Sequence, residues 1–182
     1  MTAADLIHTY RTTGTLPHLP QGHFIDGALH PALDGAEMDS FDPGRAQVLG
    51  RFAAGSAADV DRALSAAERG FAVWRDTPPA TRCRILNAVA MLIRAEADLL
   101  AVVESLDSGK TLAEAQGDIA GSARLFEYYA GAADKLDGRS PDLGGATVAF
   151  TSREPVGITA HIVPWNYPTS TLVRGIAPAL AA

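Results

Sequence analysis

The chain has 182 residues, 47% of them hydrophobic and 20% charged, with a formal net charge of −6. Such a composition suits a packed core rather than a disordered chain, and the acidic balance gives no electrostatic support to general nucleic-acid binding. No apolar run reaches the roughly 18–20 residues a membrane span needs, the first twenty residues lack the apolar stretch of a secretory signal, and a single cysteine, Cys83, excludes a disulfide framework and a zinc ribbon, leaving a reducing cytoplasm as the default setting.

In chain order, residues 3–13 suit a short leading helix, and GTLPHLPQGH (14–23) reads as a loop. Phe24–Leu29 reads as two strand fragments around an Asp26-Gly27 turn, a hairpin signal. Phe41-Asp42-Pro43-Gly44 is a second turn, followed by a strand over Val48–Ala53. Ser56 three residues before Asp59 fits a helix-capping pattern, and Val60, Leu64, Ala67 and Phe71 recur on one helical face. Thr77-Pro78-Pro79 ends that helix. A longer one is predicted from Pro79 to Leu106, with Ile85, Val89, Leu92, Leu99 and Val103 on one side and Gly109 as its stop. A third, from Leu112 to Leu136, carries Ile119, Ala123, Phe126, Ala130 and Ala133 on one face. Asp137–Gly145 reads as a loop.

The pattern then shifts to strand. Thr147–Arg153 alternates weakly, Val156–Val163 reads as a buried strand, and Pro164–Pro168 forms a rigid turn. Leu172, Ile176 and Leu180 then begin a helix. A buried parallel strand needs neighbours delivered by further strand–helix crossovers, so the topology reads as the front part of a larger α/β protein.

Several motifs resolve into ordinary structure. Ser108-Gly109-Lys110-Thr111 resembles the tail of a phosphate-binding loop. That loop requires a glycine at position 104, and a glutamate stands there, where its carboxylate would repel phosphate; a helix-ending turn is the expectation. Gly138–Gly145 lacks the dinucleotide-loop spacing and follows a helix, so it is a connection. Cys83, flanked by Arg82 and Arg84, reads as a structural thiol on an amphipathic helix. His8, His18, His23, His30 and His161 show no metal-ligand spacing, and His161, on one face of the last strand, is expected to be a hydrogen-bonded core histidine.

Ile162-Val163-Pro164-Trp165-Asn166-Tyr167-Pro168 is the strongest feature. Ligands of open α/β sheets gather at strand carboxyl ends, and two prolines stiffen the turn. Two readings stay open for it. Asn166 can present a preorganised N–H donor to a developing oxyanion beside the flat face of Trp165; or the segment is a tight turn with a core Trp and a capping Asn.

From Phe24 to Ala182 the chain resembles the N-terminal part of the aldehyde dehydrogenase superfamily, closest to its betaine-aldehyde and semialdehyde members. The segments that carry the likeness are FIDGALHPA; FDPGRAQVLGRFAAGSAADVDRALSAAERGFAVW; RCRILNAVAMLIRAEADLLAVVESLDSGKTLAEA; and REPVGITAHIVPWNYPTSTLVRGIAPALAA. The last holds the family's Pro-Trp-Asn-Tyr/Phe-Pro signature. The resemblance implies an incomplete α/β fold over residues 1–182: N-terminal helices, part of an oligomerisation hairpin at about 138–156, and the start of a Rossmann-like unit at 157–182. It implies Asn166 as the side-chain donor of the oxyanion hole, Ile162, Val163, Pro164 and Trp165 as lining for NAD or NADP, and Tyr167 as an aromatic wall of the aldehyde channel.

The same resemblance implies a small-molecule aldehyde oxidised to an acid, a homo-oligomer, and neither a nucleic-acid nor a membrane partner. In some members a monovalent cation lies near the residues matching Ser40, Phe41 and Asp107. The family's nucleophilic Cys, its general-base Glu and residues that hold the cofactor ribose match positions after Ala182, so the isolated chain is expected to be inactive. Most members also carry Lys at the position of Gly175, where this chain has Arg174-Gly175. A non-catalytic fragment that binds other subunits, or a gene remnant, is the alternative.

Overall fold

Local capping chemistry sets where the helices begin. The computed structural model describes residues 2–16 and 19–182, so His18 lies outside the described residues. Helix α1 (Ala3–Thr13) opens on a reciprocal box: Thr2 Oγ1 accepts from the Asp5 N–H at 3.1 Å, and Asp5 accepts from the Thr2 N–H at 2.8 Å. It ends at Gly14 in the left-handed region, φ 74°. The predicted hairpin forms from β1 (His23–Ile25) and β2 (Ala28–His30), turning on Asp26 and Gly27, both at positive φ. A second hairpin pairs β3 (Glu37–Asp42) with β4 (Gln47–Ala53). Phe41 and Asp42 end β3 instead of opening a turn, and β3 itself was not expected: its sequence, EMDSFD, is polar, and pairing with β4 is what makes it a strand.

Helix α2 (Ala57–Trp74) begins as predicted, with the Ser56 N–H and hydroxyl both donating to Asp59 Oδ2 (2.9 and 2.7 Å). The long helix is two: α3 (Pro79–Ala95) and α4 (Ala97–Ser108), broken at Glu96, where φ −102° and ψ 14° leave helical geometry. The break serves packing. The α3 segment buries Leu86 and Ala90 against the last two helices, while α4 buries Val102 beside α1 and β4 and Ala101 beside the following helix. That helix, α5 (Leu112–Ala130), stops short of Leu136 because the chain tightens into i→i+3 turns after Tyr129. Its predicted face is correct, and Ala133 is buried just beyond it.

The predicted strand over Val156–Val163 is not a strand. The segment runs irregularly, with Val156 fully exposed and Ile162 99% exposed. Backbone N–H and C=O groups make a strand only against a neighbour, and both sheets among the described residues are two-stranded antiparallel pairs nearer the N-terminus. Residues 137–153 double back loosely through an isolated Asp142–Val148 bridge, with the Thr151 N–H donating to the Arg139 carbonyl at 2.8 Å. Helix α6 (Pro168–Ala181) then packs Val173, Ala177 and Ala181 onto α3 and α5, a phase one residue away from the predicted Leu172, Ile176 and Leu180. No helix among the described residues is long and apolar enough to cross a membrane.

Candidate functional site

Pro164 and Pro168 bracket a turn at Trp165–Asn166, and Pro168 starts α6 with its fixed φ at the first helical position. The cap residue of α6 is Tyr167, not Asn166. Asn166 is exposed, and no hydrogen bond among the described residues engages its carboxamide. Trp165 is 78% exposed. Neither is therefore a core Trp or a capping Asn: the turn holds an amide and an indole outward. Ile162, Pro164 and Trp165 are exposed and Val163 is half-buried.

Tyr167 is half exposed, and its ring has a charged neighbour: Lys110 Nζ lies 4.4 Å from the ring centroid. Lys110 Nζ also donates to Glu104 Oε1 and Asp118 Oδ2, each at 2.6 Å, and the Lys110 and Glu104 side chains are only 10% and 2% exposed. Burial alone would lower the Lys110 pKa, but the hydrogen bonds and charges of Asp118 and Glu104 outweigh it and hold the ammonium above its ordinary value. Glu104, whose carboxylate tells against a phosphate loop, is thus the acceptor that fixes this lysine. The sequence signal was present in Glu104 and Lys110; Asp118 and Tyr167 come to them only through folding.

The Tyr167 side chain also borders a cavity of about 380 Å³ between α5 and α6, where Ser170 and Arg174 face Gly117, Gly121 and Leu125. A larger apolar groove of about 490 Å³ lies elsewhere, between α2, α6 and residues 155–161. Phe71, Trp74, Ile176 and Leu180 line it, and none of residues 162–167 does. At its edge His161 is exposed rather than a core residue, with Nε2 2.9 Å from Thr159 Oγ1. Its ring lies so close to Gly175 that a Cβ there would stand 2.3 Å from Nδ1.

The remaining candidates are placed as follows. Cys83 is partly buried against the α3–α5–α6 core, and the Asn87 amide donates to its carbonyl at 3.1 Å and approaches its sulfur at 3.5 Å. Ser40 and Asp107 meet, Oγ donating to Oδ1 at 2.5 Å, from β3 and the end of α4. No group of three or more His, Cys, Asp or Glu side chains suited to a metal ion occurs among the described residues.

Comparison with known proteins supplies the context for this corner. The family model for the aldehyde dehydrogenase family matches residues 31–182. An aldehyde dehydrogenase of Aspergillus niger is 37% identical over 180 residues, which is 98% of this chain and 36% of the relative. A hydroxyisobutyraldehyde dehydrogenase of Mycolicibacterium austroafricanum is 41% identical over 158 residues, 87% of this chain and 31% of the relative. Among solved structures, a point mutant of betaine aldehyde dehydrogenase from Staphylococcus aureus in complex with NAD+ superposes with a TM-score of 0.86 at 36% identity, covering 90% of this chain and 34% of that one. The chain spans about a third of the length of the relatives it matches. With the family model spanning most of its length and its backbone following theirs, this chain belongs to the aldehyde dehydrogenase family.

Proposed function

We propose that this chain supplies the oxyanion-binding corner, and one wall of the nucleotide site, of an enzyme that oxidises a small-molecule aldehyde to a carboxylic acid with NAD or NADP. The observation that carries the reading is Asn166: a carboxamide held outward and unengaged on a proline-bracketed turn. When a nucleophile adds to an aldehyde carbon, the carbonyl oxygen takes up negative charge. A fixed N–H donor aimed at that oxygen stabilises the transition state without reorganising. Tyr167 beside it offers an aromatic wall for the aldehyde's apolar part.

Ile162, Val163, Pro164 and Trp165 offer apolar side chains to the adenosine and ribose of the dinucleotide and supply no charged group for its phosphates. A bound NAD(P)+ would supply the hydride acceptor; these four residues would line its adenosine and ribose. The chain's one thiol, Cys83, is packed on α3 against the core and is not at the corner. Residues 1–182 on their own therefore supply the donor without the nucleophile. A lone free cysteine also suits a reducing compartment such as the cytoplasm.

The test is aldehyde-dependent formation of reduced nicotinamide, followed by absorbance, in a polypeptide carrying residues 1–182 within a span of the family's length. Asn166→Ala lowers kcat by roughly 10²–10³-fold, the cost of losing one oxyanion donor. Turnover that survives this substitution undiminished would sink the proposal, as would turnover by residues 1–182 alone.

One observation favours a second reading, in which residues 138–156 bind further copies of the chain: Val148 and Phe150 are 84% and 80% exposed on a loosely paired segment. Light scattering that gives a monomer at all concentrations would exclude it.

A further inference from the structure

We infer that Lys110 is a positioning residue for the corner at 164–168, acting through Tyr167. The inference rests on the proposed role of Asn166 and adds a residue to which neither the motif nor the fold comparison gives a task. Lys110 is itself fixed from three directions. Its backbone leaves Gly109 at φ 76°, its carbonyl accepts from Ser105 Oγ at 2.8 Å, and its ammonium bridges Glu104 and Asp118 at 2.6 Å each. Gly109 lies so tightly under Pro43 that a Cβ would stand 2.7 Å from Pro43 Cγ, so this segment has little room to shift.

The fourth side of the ammonium is the Tyr167 ring, 4.4 Å away at its centroid. A cation over a ring face is attracted by the ring's quadrupole, more strongly where water is excluded. Lys110 is nearly buried and Glu104 is more so, and Glu104 Oε2 has no partner among the described residues. The cluster thus holds two carboxylates to one ammonium. It keeps the lysine in place and charged, and the lysine keeps the ring in place. Tyr167 is the cap residue of α6 and the immediate neighbour of Asn166. A ring anchored at this point fixes the direction in which the turn presents the carboxamide, which the exposed Trp165 and Asn166 cannot do for themselves.

The chain provides its own reporter. It has two asparagines, Asn87 and Asn166; the first sits on α3 with its amide bonded to the Cys83 carbonyl. In ¹⁵N-labelled full chain their side-chain NH₂ signals read core and corner separately, with no substrate present. Lys110→Met is expected to shift and broaden the Asn166 pair while the Asn87 pair stays in place, and Lys110→Arg, which keeps a cation able to stack on the ring, to return it towards wild type. An unmoved Asn166 pair in a folded Lys110→Met chain overturns the inference.

If that variant unfolds, with loss of the native Asn87 pair, the neutral triple variant Glu104→Gln/Lys110→Met/Asp118→Asn removes the ammonium without leaving buried carboxylates, and the same shift is expected. Should both unfold, Tyr167→Leu reads the contact from the exposed side: the Lys110 ε-methylene protons lose their ring-current shift, whereas Tyr167→Phe preserves it. Unchanged ε-methylene signals in Tyr167→Leu overturn the inference. Because all these signals are recorded without turnover, a failed activity test would remove the proposed function and leave this result standing.

Discussion

Helices α2 and α5 have nearly the same length and each carries an apolar stripe, yet they are held by different physics. Ile119, Ala123, Phe126 and Ala130 of α5 are all buried, Phe126 and Ala130 in a core shared with Leu86 and Ala90 of α3 and Val173 and Ala177 of α6. The only buried residue of α2 is Asp59. Val60 and Leu64, half of its apolar stripe, are exposed, and α2 is tied down by polar tethers. Asp59 Oδ1 accepts from the Leu33 N–H at 3.0 Å, Arg69 meets Asp26 at 2.9 Å, and Trp74 Nε1 donates to the Leu180 carbonyl at 3.0 Å. Periodicity marks a face suited to burial; whether that face is buried depends on what folds against it.

The contrast can be broken in order of size. Phe126→Ala, in the three-helix core, should cost about 3–5 kcal/mol in denaturant unfolding, through lost transfer energy and a residual cavity. A loss below about 1 kcal/mol would mean that this core is as loosely held as α2. Thr111→Ala removes the cap at the start of α5, where Thr111 Oγ1 accepts from the Glu114 N–H and Glu114 accepts from the Thr111 N–H. The expected loss is about 1 kcal/mol, measured in the same unfolding series.

Acid sharpens the comparison from the side of α2. The backbone N–H and hydroxyl of Ser56 hold the Asp59 carboxyl below its ordinary value of 3.8. Since the folded pKa is the lower one, the Asp59 contribution is fully present above about pH 4 and lost as pH falls through the folded value. Asp59→Asn should flatten the acid limb of a thermal-midpoint profile while leaving its neutral part nearly parallel to wild type; an unaltered acid limb would show that the tether does not stabilise α2. The smallest effect belongs to Val60→Ala, expected within about 0.5 kcal/mol because the side chain is more than half exposed. A loss of 2 kcal/mol or more there would reveal burial of α2 in solution.

What could be read along the chain was what depends on near neighbours. Asp26-Gly27, the Ser56–Asp59 cap, the Gly109 stop and the buried face of α5 are each decided within a few residues, and each is where it was expected. Strand β3 was illegible because EMDSFD alternates poorly and becomes a strand only through pairing with β4. The break at Glu96 has no Gly or Pro to announce it; two separate cores pull α3 and α4 in different directions. Residues 156–163 show the converse, a run of strong strand formers with no strand alongside. At the site, the proline-bracketed turn is local and was recognised. The clamp on Tyr167 was not, since it joins positions 104, 110, 118 and 167, and only the first two of these are close enough in sequence to suggest each other.

The imidazole lying across Gly175 couples the irregular segment before the turn to helix α6. With His161 Nδ1 2.3 Å from where a first side-chain carbon would sit, any side chain at 175 requires the ring to move. Because His161 is an exposed side chain on an irregular segment, Gly175→Lys should be accommodated by rotation of the ring, with loss of its contact to Thr159 Oγ1.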